Sequence, residues 1–246
     1  MTQPLDAATV DRVLAAIENA TERFVDAVAA LDDDALRGPS GLPDWSRGHV
    51  ATHVAQNAPA LGNLLHWAAT GEVRPMYPNM VARLAAIEAG AGRDAAALAA
   101  DLRETAQAFS AGARAVPMDR WDVEVHLLSG RPLLARTVLP HRMREVEFHH
   151  VDLDVGYTPA HWDTGFVTAC LDDVVTTLSG LPGVPELTLR ATDGSGTHTW
   201  ALSGTGGPVT ISGPRAALLA WVAGRSPGDG LACTGADVLP MLPAYP

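Results

Sequence analysis

The feature that most constrains the fold is a change of hydrophobic period partway along the chain. From Val10 to about Val155, apolar residues recur every three or four positions, in segments that Gly and Pro separate. This period is typical of amphipathic helices. Beyond Thr158, Gly, Pro and Thr become frequent, and short stretches rich in Val and Thr alternate instead, as strands of a small sheet do. The sequence therefore predicts a helical domain over residues 1–157 and an α+β domain over residues 158–246.

Helix starts in the first domain are marked by polar residues that can accept hydrogen bonds from the first-turn backbone. Ser46 is the expected cap of the second long helix, and Gly71 ends it. The first long helix is predicted to follow a cap at Asp6 or Thr9 and to run through Asp11 to about residue 30. Further long helices are predicted over 47–70, 94–113 and 140–155, a short one over 79–89, and a hairpin or extended loop over 121–136. In the second domain we predict helices over 166–178 and 214–223, and strands over 186–191, 198–202 and 209–211.

Charge and cysteine content exclude several classes of function. The chain has 17 Lys and Arg against 28 Asp and Glu, which gives a formal net charge of −11. Such a field repels nucleic acid and anionic lipid, so we expect neither as a partner. Cys170 and Cys233 lie far apart and form no CxxC motif, and no apolar run approaches the ~20 residues of a membrane span. We therefore expect a cytoplasmic protein, either a monomer or a small homo-oligomer.

Histidine provides the clearest chemical signal. His49 and His53 are four residues apart on one predicted helix, and Glu145 and His149 are four apart on another. Residues with this spacing share a helix face about 6 Å apart. Imidazole and carboxylate groups can then bind one zinc ion, whose N and O ligands lie at about 2.0 to 2.2 Å. Either pair is therefore a candidate metal site.

Burial strengthens the metal hypothesis but leaves an alternative open. His53 and Asn57 are embedded in a mostly apolar helix, and Glu145 and His149 have apolar neighbours on theirs. A buried carboxylate without a cation is costly, and a metal ion would satisfy it. In the alternative, His53 is a hydrogen-bonded core residue, and Glu145 pairs with a nearby arginine, Arg142 or Arg144, on a solvated face.

The segment from Asp44 to His53 resembles the signature of the DinB/YfiT-like metalloproteins. In these proteins a Trp-Ser or Trp-Thr pair opens the second helix of a bundle, and a histidine follows one to two turns later. Within this superfamily the chain is most similar to the mycothiol-dependent maleylpyruvate isomerases. The matching segments are Asn57–Ala58, Asn63–Ala68, Thr70–Glu72, Pro75–Tyr77, Arg144–Val146, His149 with Val151–Leu153, and Ala223–Arg225.

This resemblance implies a DinB-like four-helix bundle followed by a sterol-carrier-like α+β domain. It also implies a zinc ion held by His53, Glu145 and His149, whereas His49 has a counterpart that is not a ligand. It implies catalytic roles for Arg225 and Arg83. Asp152 follows His149 by three residues, so it can either orient that histidine or serve as a surface or cap residue.

The activity implied by the resemblance is the zinc- and mycothiol-dependent conversion of maleylpyruvate to fumarylpyruvate, a cis-trans isomerisation in aromatic compound catabolism of the gentisate type. A thiolate adds to the cis double bond, the resulting single bond rotates, and elimination restores the trans alkene. The expected partners are a dicarboxylate substrate and a low-molecular-weight thiol, whose binding residues are not assigned. Two alternatives stay open: a mycothiol S-transferase of the same superfamily, and a non-catalytic metal-binding bundle.

Overall fold

The computed structural model of the protein describes residues 5–179, 181–194 and 198–243. The chain divides into two units, Met1–Gly156 and Tyr157–Pro246. The helices of the first unit are α1 (Ala7–Ala29), α2 (Asp33–Arg37), α3 (Arg47–Thr70), α4 (Met80–Gly90), α5 (Ala95–Arg114) and α6 (Val138–Asp152). Among the described residues, none of the helices has the length and apolar character that a membrane span requires.

Side-chain caps explain where these helices begin. Asp6, Ser46, Asn79 and Asp94 each precede a helix and accept a hydrogen bond from a backbone N–H of its first turn, which satisfies a donor that has no partner within the helix. The helix α3 has the bounds that its sequence predicts, and Gly71 ends it with a left-handed φ of 81°.

Two helices differ from the sequence-based expectation. The five-residue helix α2 was not predicted, because its acidic and Gly/Pro-rich surroundings resemble a loop. The helix α6 starts two residues before Pro140 and ends at Asp152 rather than Val155. Proline is tolerated in a first turn, and Asp154 adopts a left-handed φ of 55° just beyond the end of α6. The predicted hairpin is present as the antiparallel strands β1 (Glu124–His126) and β2 (Pro132–Leu134).

Four long helices form the bundle of the first unit. The helix α1 packs against α5 and α6, and α3 packs against the same two helices, so each helix contacts two others. Their apolar faces fill the centre with fully buried side chains, which include Leu14, Phe24, Leu61, Leu65, Leu98 and Leu102. The helix α4 lies against the outer side of α3. A side chain at Gly48 would collide with the carbonyl oxygen of Ala91, so this glycine allows the end of α4 to approach α3 closely.

In its described residues, the second unit has a four-stranded mixed sheet and two α-helices. Its elements are α7 (Thr164–Leu178), β3 (Pro185–Ala191), β4 (Thr199–Leu202), β5 (Thr205–Gly213), α8 (Arg215–Val222) and β6 (Ala232–Thr234). The strand order is β4-β3-β5-β6, in which β3 and β5 are parallel and the other pairs antiparallel. The three-residue edge strand β6 was not predicted. The predicted fold class, a helical bundle followed by a small α+β domain, is confirmed.

Candidate metal centre

Three side chains from two helices converge inside the bundle. His53 projects from α3, while Glu145 and His149 project from one face of α6. Oε2 of Glu145 lies 3.0 Å from Nε2 of His53 and 3.5 Å from Nε2 of His149. The two imidazole rings are perpendicular, with centroids 4.6 Å apart. The packing of α3 against α6 therefore brings together two motifs that lie 92 residues apart in the chain.

The geometry of these donors fits a zinc ion. One potential ligand atom from each residue lies within 4.8 Å of the other two. Ligand atoms bound at about 2.1 Å around a tetrahedral zinc ion lie roughly 3.4 Å from one another, so small adjustments suffice. Two imidazole nitrogens and one carboxylate oxygen are a typical zinc donor set. Three protein ligands leave a coordination position open, as in catalytic rather than structural sites.

Asp152 orients one of the proposed ligands. Its Oδ2 lies 2.8 Å from Nδ1 of His149, and the side chain of Asp152 is only 5% exposed. An ionised carboxylate can only accept hydrogen bonds, so Nδ1 of His149 carries the proton. The opposite nitrogen, Nε2, then faces Glu145. The partnership of carboxylate and histidine is a common support for a metal ligand, and it favours the orienting role of Asp152 over the surface role.

Burial and charge determine the protonation of the three groups. Burial lowers the pKa of His53 to about 4, although the hydrogen bond with Glu145 opposes this effect. Burial acts to raise the pKa of Glu145, but hydrogen bonds with His149 and His53 outweigh it and hold that pKa well below its ordinary value. For His149, burial is outweighed by Asp152 and Glu145, which raise its pKa. At neutral pH, His53 is therefore neutral and Glu145 is ionised.

Arg83 and Trp45 border the same cluster. One guanidinium nitrogen of Arg83, from α4, donates to Nδ1 of His53 at 3.2 Å. The Trp45 ring contacts the His53 ring edge-on, with centroids 5.6 Å apart. From the sequence, Trp45 was assigned no role in this cluster, and only its place directly before the Ser46 cap could have indicated a position beside the histidines of the second helix.

Several candidates lie outside this cluster. Both ring nitrogens of His49 have other partners, Ser46 at 2.7 Å and Glu88 at 3.0 Å, so the spacing of His49 and His53 does not produce a shared site. Cys170 is buried in α7 and Cys233 lies on β6, and no disulfide joins them. Neither cysteine belongs to the group of potential metal ligands.

Arg225 belongs to the second unit. It follows α8 in a Gly/Pro-rich loop, where its guanidinium donates to the carbonyl oxygen of Ala223 at 2.8 Å. The residues from Trp221 to Pro227, together with Leu239 to Pro243, line a cavity of about 390 Å³. Arg225 is partly buried at the edge of this cavity, and its catalytic role stays a prediction.

Sequence reasoning missed one inward-facing residue of α6. Arg142 was considered only as a partner of Glu145 on a solvated face, yet it is completely buried. It precedes Glu145 by three residues and His149 by seven, so all three lie on one helix face. This spacing is the sequence signal that could have identified Arg142 as a residue on the same face as the proposed ligands. The contacts of Glu145 with His53 and His149 also contradict the alternative in which Glu145 pairs with an arginine on the surface.

Comparison with known proteins covers both units. The family described as the mycothiol maleylpyruvate isomerase N-terminal domain matches residues 17–154. The family described as the MDMPI C-terminal domain matches residues 161–243. No curated protein matches the chain.

Two solved structures are similar to the chain over nearly its full length. One is the crystal structure of the mycothiol-dependent maleylpyruvate isomerase, with 28% sequence identity and a TM-score of 0.86. The other is a variant of that enzyme with one histidine replaced by alanine, with 27% identity and a TM-score of 0.85. In both cases the match covers 96% of this chain and 97% of the other. The similarity therefore includes the helical unit that contains the cluster and the α+β unit that follows it.

Proposed function

The chain belongs to the mycothiol maleylpyruvate isomerase family, and we propose that it catalyses the zinc- and mycothiol-dependent isomerisation of maleylpyruvate to fumarylpyruvate. The observation that carries this proposal is the convergence of His53, Glu145 and His149 into a metal-binding arrangement with an open side. Glu145 is 21% exposed and His149 12% exposed at their side chains, so a ligand can reach the cluster from the side of α6.

The proposed zinc ligands are Nε2 of His53, Oε2 of Glu145 and Nε2 of His149. A zinc ion bound by them would lower the pKa of a coordinated thiol, so that the reactive thiolate is present at neutral pH. The low pKa of His53 makes its imidazole neutral at neutral pH, which is the charge state in which a histidine binds metal. Glu145 contributes the negative charge that attracts a dication. Asp152 accepts the Nδ1 hydrogen of His149, so that Nε2 is the nitrogen that would bind the metal once the metal displaces any proton there.

Cationic side chains near the cluster suit a dicarboxylate substrate. The net charge of the protein, −11, repels such a substrate at long range, so binding needs local positive charge. Arg83 is in position to provide it, because its guanidinium contacts the outer nitrogen of His53. Arg225 is the second proposed substrate contact, on the strength of the family resemblance. Trp45 covers one side of His53 and excludes water there.

The test of the proposal is whether the thiol is required but not consumed. With enzyme, maleylpyruvate and substoichiometric mycothiol, we expect many turnovers per thiol and full recovery of free thiol, since isomerisation returns the thiol unchanged. A chelator that removes zinc should abolish the reaction, because a thiol with an ordinary pKa near 8.5 is mostly protonated at pH 7. Product formation is followed by chromatography and free thiol by a colorimetric assay.

Other outcomes of this experiment identify the alternatives. Turnover that stops after one equivalent of thiol indicates a mycothiol S-transferase. Zinc binding without turnover indicates a non-catalytic metal-binding bundle. Turnover that needs no thiol contradicts the proposed mechanism.

The protein's own cysteines should be dispensable, because the proposed nucleophile belongs to mycothiol. We expect the double variant Cys170→Ala and Cys233→Ala to retain activity within about threefold of the parent, as measured by kcat/KM. Cys170 is 6% exposed, so its replacement can cost some stability, and the single variant Cys233→Ala controls for this effect. A folded double variant that has lost more than ~100-fold in turnover would instead indicate a cysteine nucleophile.

A further inference from the structure

Arg142 is a buried cation whose hydrogen-bonding capacity is only partly used. Its NH1 donates to the carbonyl oxygen of Val54 at 2.8 Å and to Oδ1 of Asn57 at 3.0 Å. Its Nε and NH2 have no hydrogen-bond partner among the residues that the structure describes. A structural role in joining α6 to α3 accounts for NH1 alone. Burying the other donors of a guanidinium without acceptors costs free energy. The burial of Nε and NH2 therefore needs a further explanation.

A second buried donor lies in the same region. The hydroxyl of Tyr77 has no hydrogen-bond acceptor among the described residues, because Arg83, which acts on it through a hydrogen bond, can only donate. Tyr77 belongs to the connection between α3 and α4, which Asn63 anchors through the carbonyl oxygen of Pro75 at 3.1 Å. The guanidinium of Arg83 lies over the Tyr77 ring, 5.8 Å from its centroid. Tyr77 is therefore held beside the arginine that contacts His53.

Electrostatic coupling links Tyr77, Arg142 and Glu145. Burial lowers the pKa of Arg142 to about 10, and the nearby Glu145 and Tyr77 oppose this effect, so Arg142 is charged at neutral pH. Burial also raises the pKa of the Tyr77 phenol, which keeps its proton at neutral pH, while Arg83 and Arg142 act in the opposite direction. The unpaired donors of Arg142 and Tyr77 thus interact electrostatically with each other and with Glu145, a proposed metal ligand.

We infer that Arg142 and Tyr77 form an anion subsite that accepts one carboxylate of the substrate beside the proposed metal ligands. The free N–H groups of the Arg142 guanidinium and the Tyr77 hydroxyl match the acceptor oxygens of a carboxylate. The identity of this carboxylate rests on the proposed function. Most neighbours of Tyr77 in its connecting segment are exposed, so Tyr77 can shift to admit the ligand, whereas Arg142 is held within α6.

The charges around the cluster support an anionic ligand. Arg83 and Arg142 together balance Glu145 and Asp152. A divalent cation bound by the three proposed ligands then leaves an excess of positive charge in a largely buried site, where such an excess is costly. A thiolate and a carboxylate together remove that excess. The subsite therefore explains why a site for a dication also contains a buried arginine.

The test measures binding of maleate, a small cis-dicarboxylate, to the zinc-loaded protein without any thiol. We compare the parent with Tyr77→Phe and Arg142→Lys by calorimetry, and we determine KM and kcat for maleylpyruvate separately. Tyr77→Phe should raise both the Kd for maleate and the KM by roughly 10-fold, because a hydrogen bond to a charged group is lost. Arg142→Lys should raise them at least as much, since lysine lacks the planar fork. The zinc content should not change.

Arg144→Lys is the matched control. Arg144 is also buried on α6, but its guanidinium pairs with His141, so this variant should bind maleate as the parent does. If Arg142→Lys does not fold, Tyr77→Phe decides the question. If no anion binds at this position, removing an unpaired buried hydroxyl leaves the stability of the protein unchanged or raises it. Unchanged Kd and KM in folded Tyr77→Phe would therefore overturn the subsite, as would a parent protein that does not bind maleate. Maleate binding that depends on Tyr77, in a protein without isomerase activity, would keep the subsite and reject the proposed function.

Discussion

Replacing His53 or His149 by alanine should remove zinc from the protein, with the content falling from about one ion per chain to near zero. Each substitution leaves only two of the three proposed ligands, and two ligands do not hold zinc tightly. Activity should fall with the metal, because the thiol then keeps its ordinary pKa. Metal analysis of the purified variants by mass spectrometry, together with kcat/KM for maleylpyruvate, measures both effects.

His49→Ala is the matched control for these variants. It removes a histidine of the same helix whose nitrogens contact Ser46 and Glu88 rather than the cluster. Loss of its contribution to the helix cap should cost at most about 1 kcal/mol of stability, and zinc should stay bound. Full zinc occupancy in His53→Ala or His149→Ala would reject the proposed ligand set.

Arg225→Ala should lower kcat/KM by about 100-fold or more, since a carboxylate loses a bidentate, charge-assisted contact. The substrate carries two negative charges and the protein is acidic, so a missing specific cation is not replaced by the surrounding field. Zinc should remain bound, because Arg225 belongs to the second unit and the three proposed ligands to the first. Arg225→Lys should recover only part of the activity, because it keeps the charge but loses the fork.

Arg190→Ala is the control for this loss. Arg190 is an exposed arginine of the same unit, on β3, and contacts Ser212 at 3.2 Å. Its removal lowers the positive charge by the same amount without touching the loop after α8. Unchanged kinetics in Arg225→Ala would show that this arginine does not contact the substrate. An equal loss in both variants would indicate an effect of net charge only.

Local signals in the sequence were sufficient to predict most helix ends. The Ser46 cap and Gly71 delimit α3 within the chain itself, because a cap forms between residues three positions apart. Similarly, the spacing of Glu145 and His149 places both on one face of α6, regardless of which element packs against that face. The short elements α2 and β6 were missed, since segments of five and three residues contain too little pattern to distinguish them from loops.

Which residues form the candidate metal site depends instead on tertiary packing. From spacing alone, His49 with His53 is as good a pair as Glu145 with His149, and only the resemblance to a family distinguished them. Their partners differ because α3 turns His53 toward α6, while His49 meets α4 through Glu88. Such contacts join residues 92 and 39 positions apart. They form only when apolar faces from distant segments are buried together, which no local pattern specifies.

For Arg142 too, some properties follow from the sequence and others from tertiary packing. Its position on the helix face of Glu145 and His149 can be read from the sequence, because three and four residues make about one turn. Its complete burial depends on the packing of α6 against α3, and so does the fact that two of its nitrogens meet no hydrogen-bond partner in the described part of the chain. Local hydrogen bonds and helical periodicity thus set where each side chain projects. The long-range burial of apolar surface decided which of those side chains meet, and hence which polar groups form the candidate site.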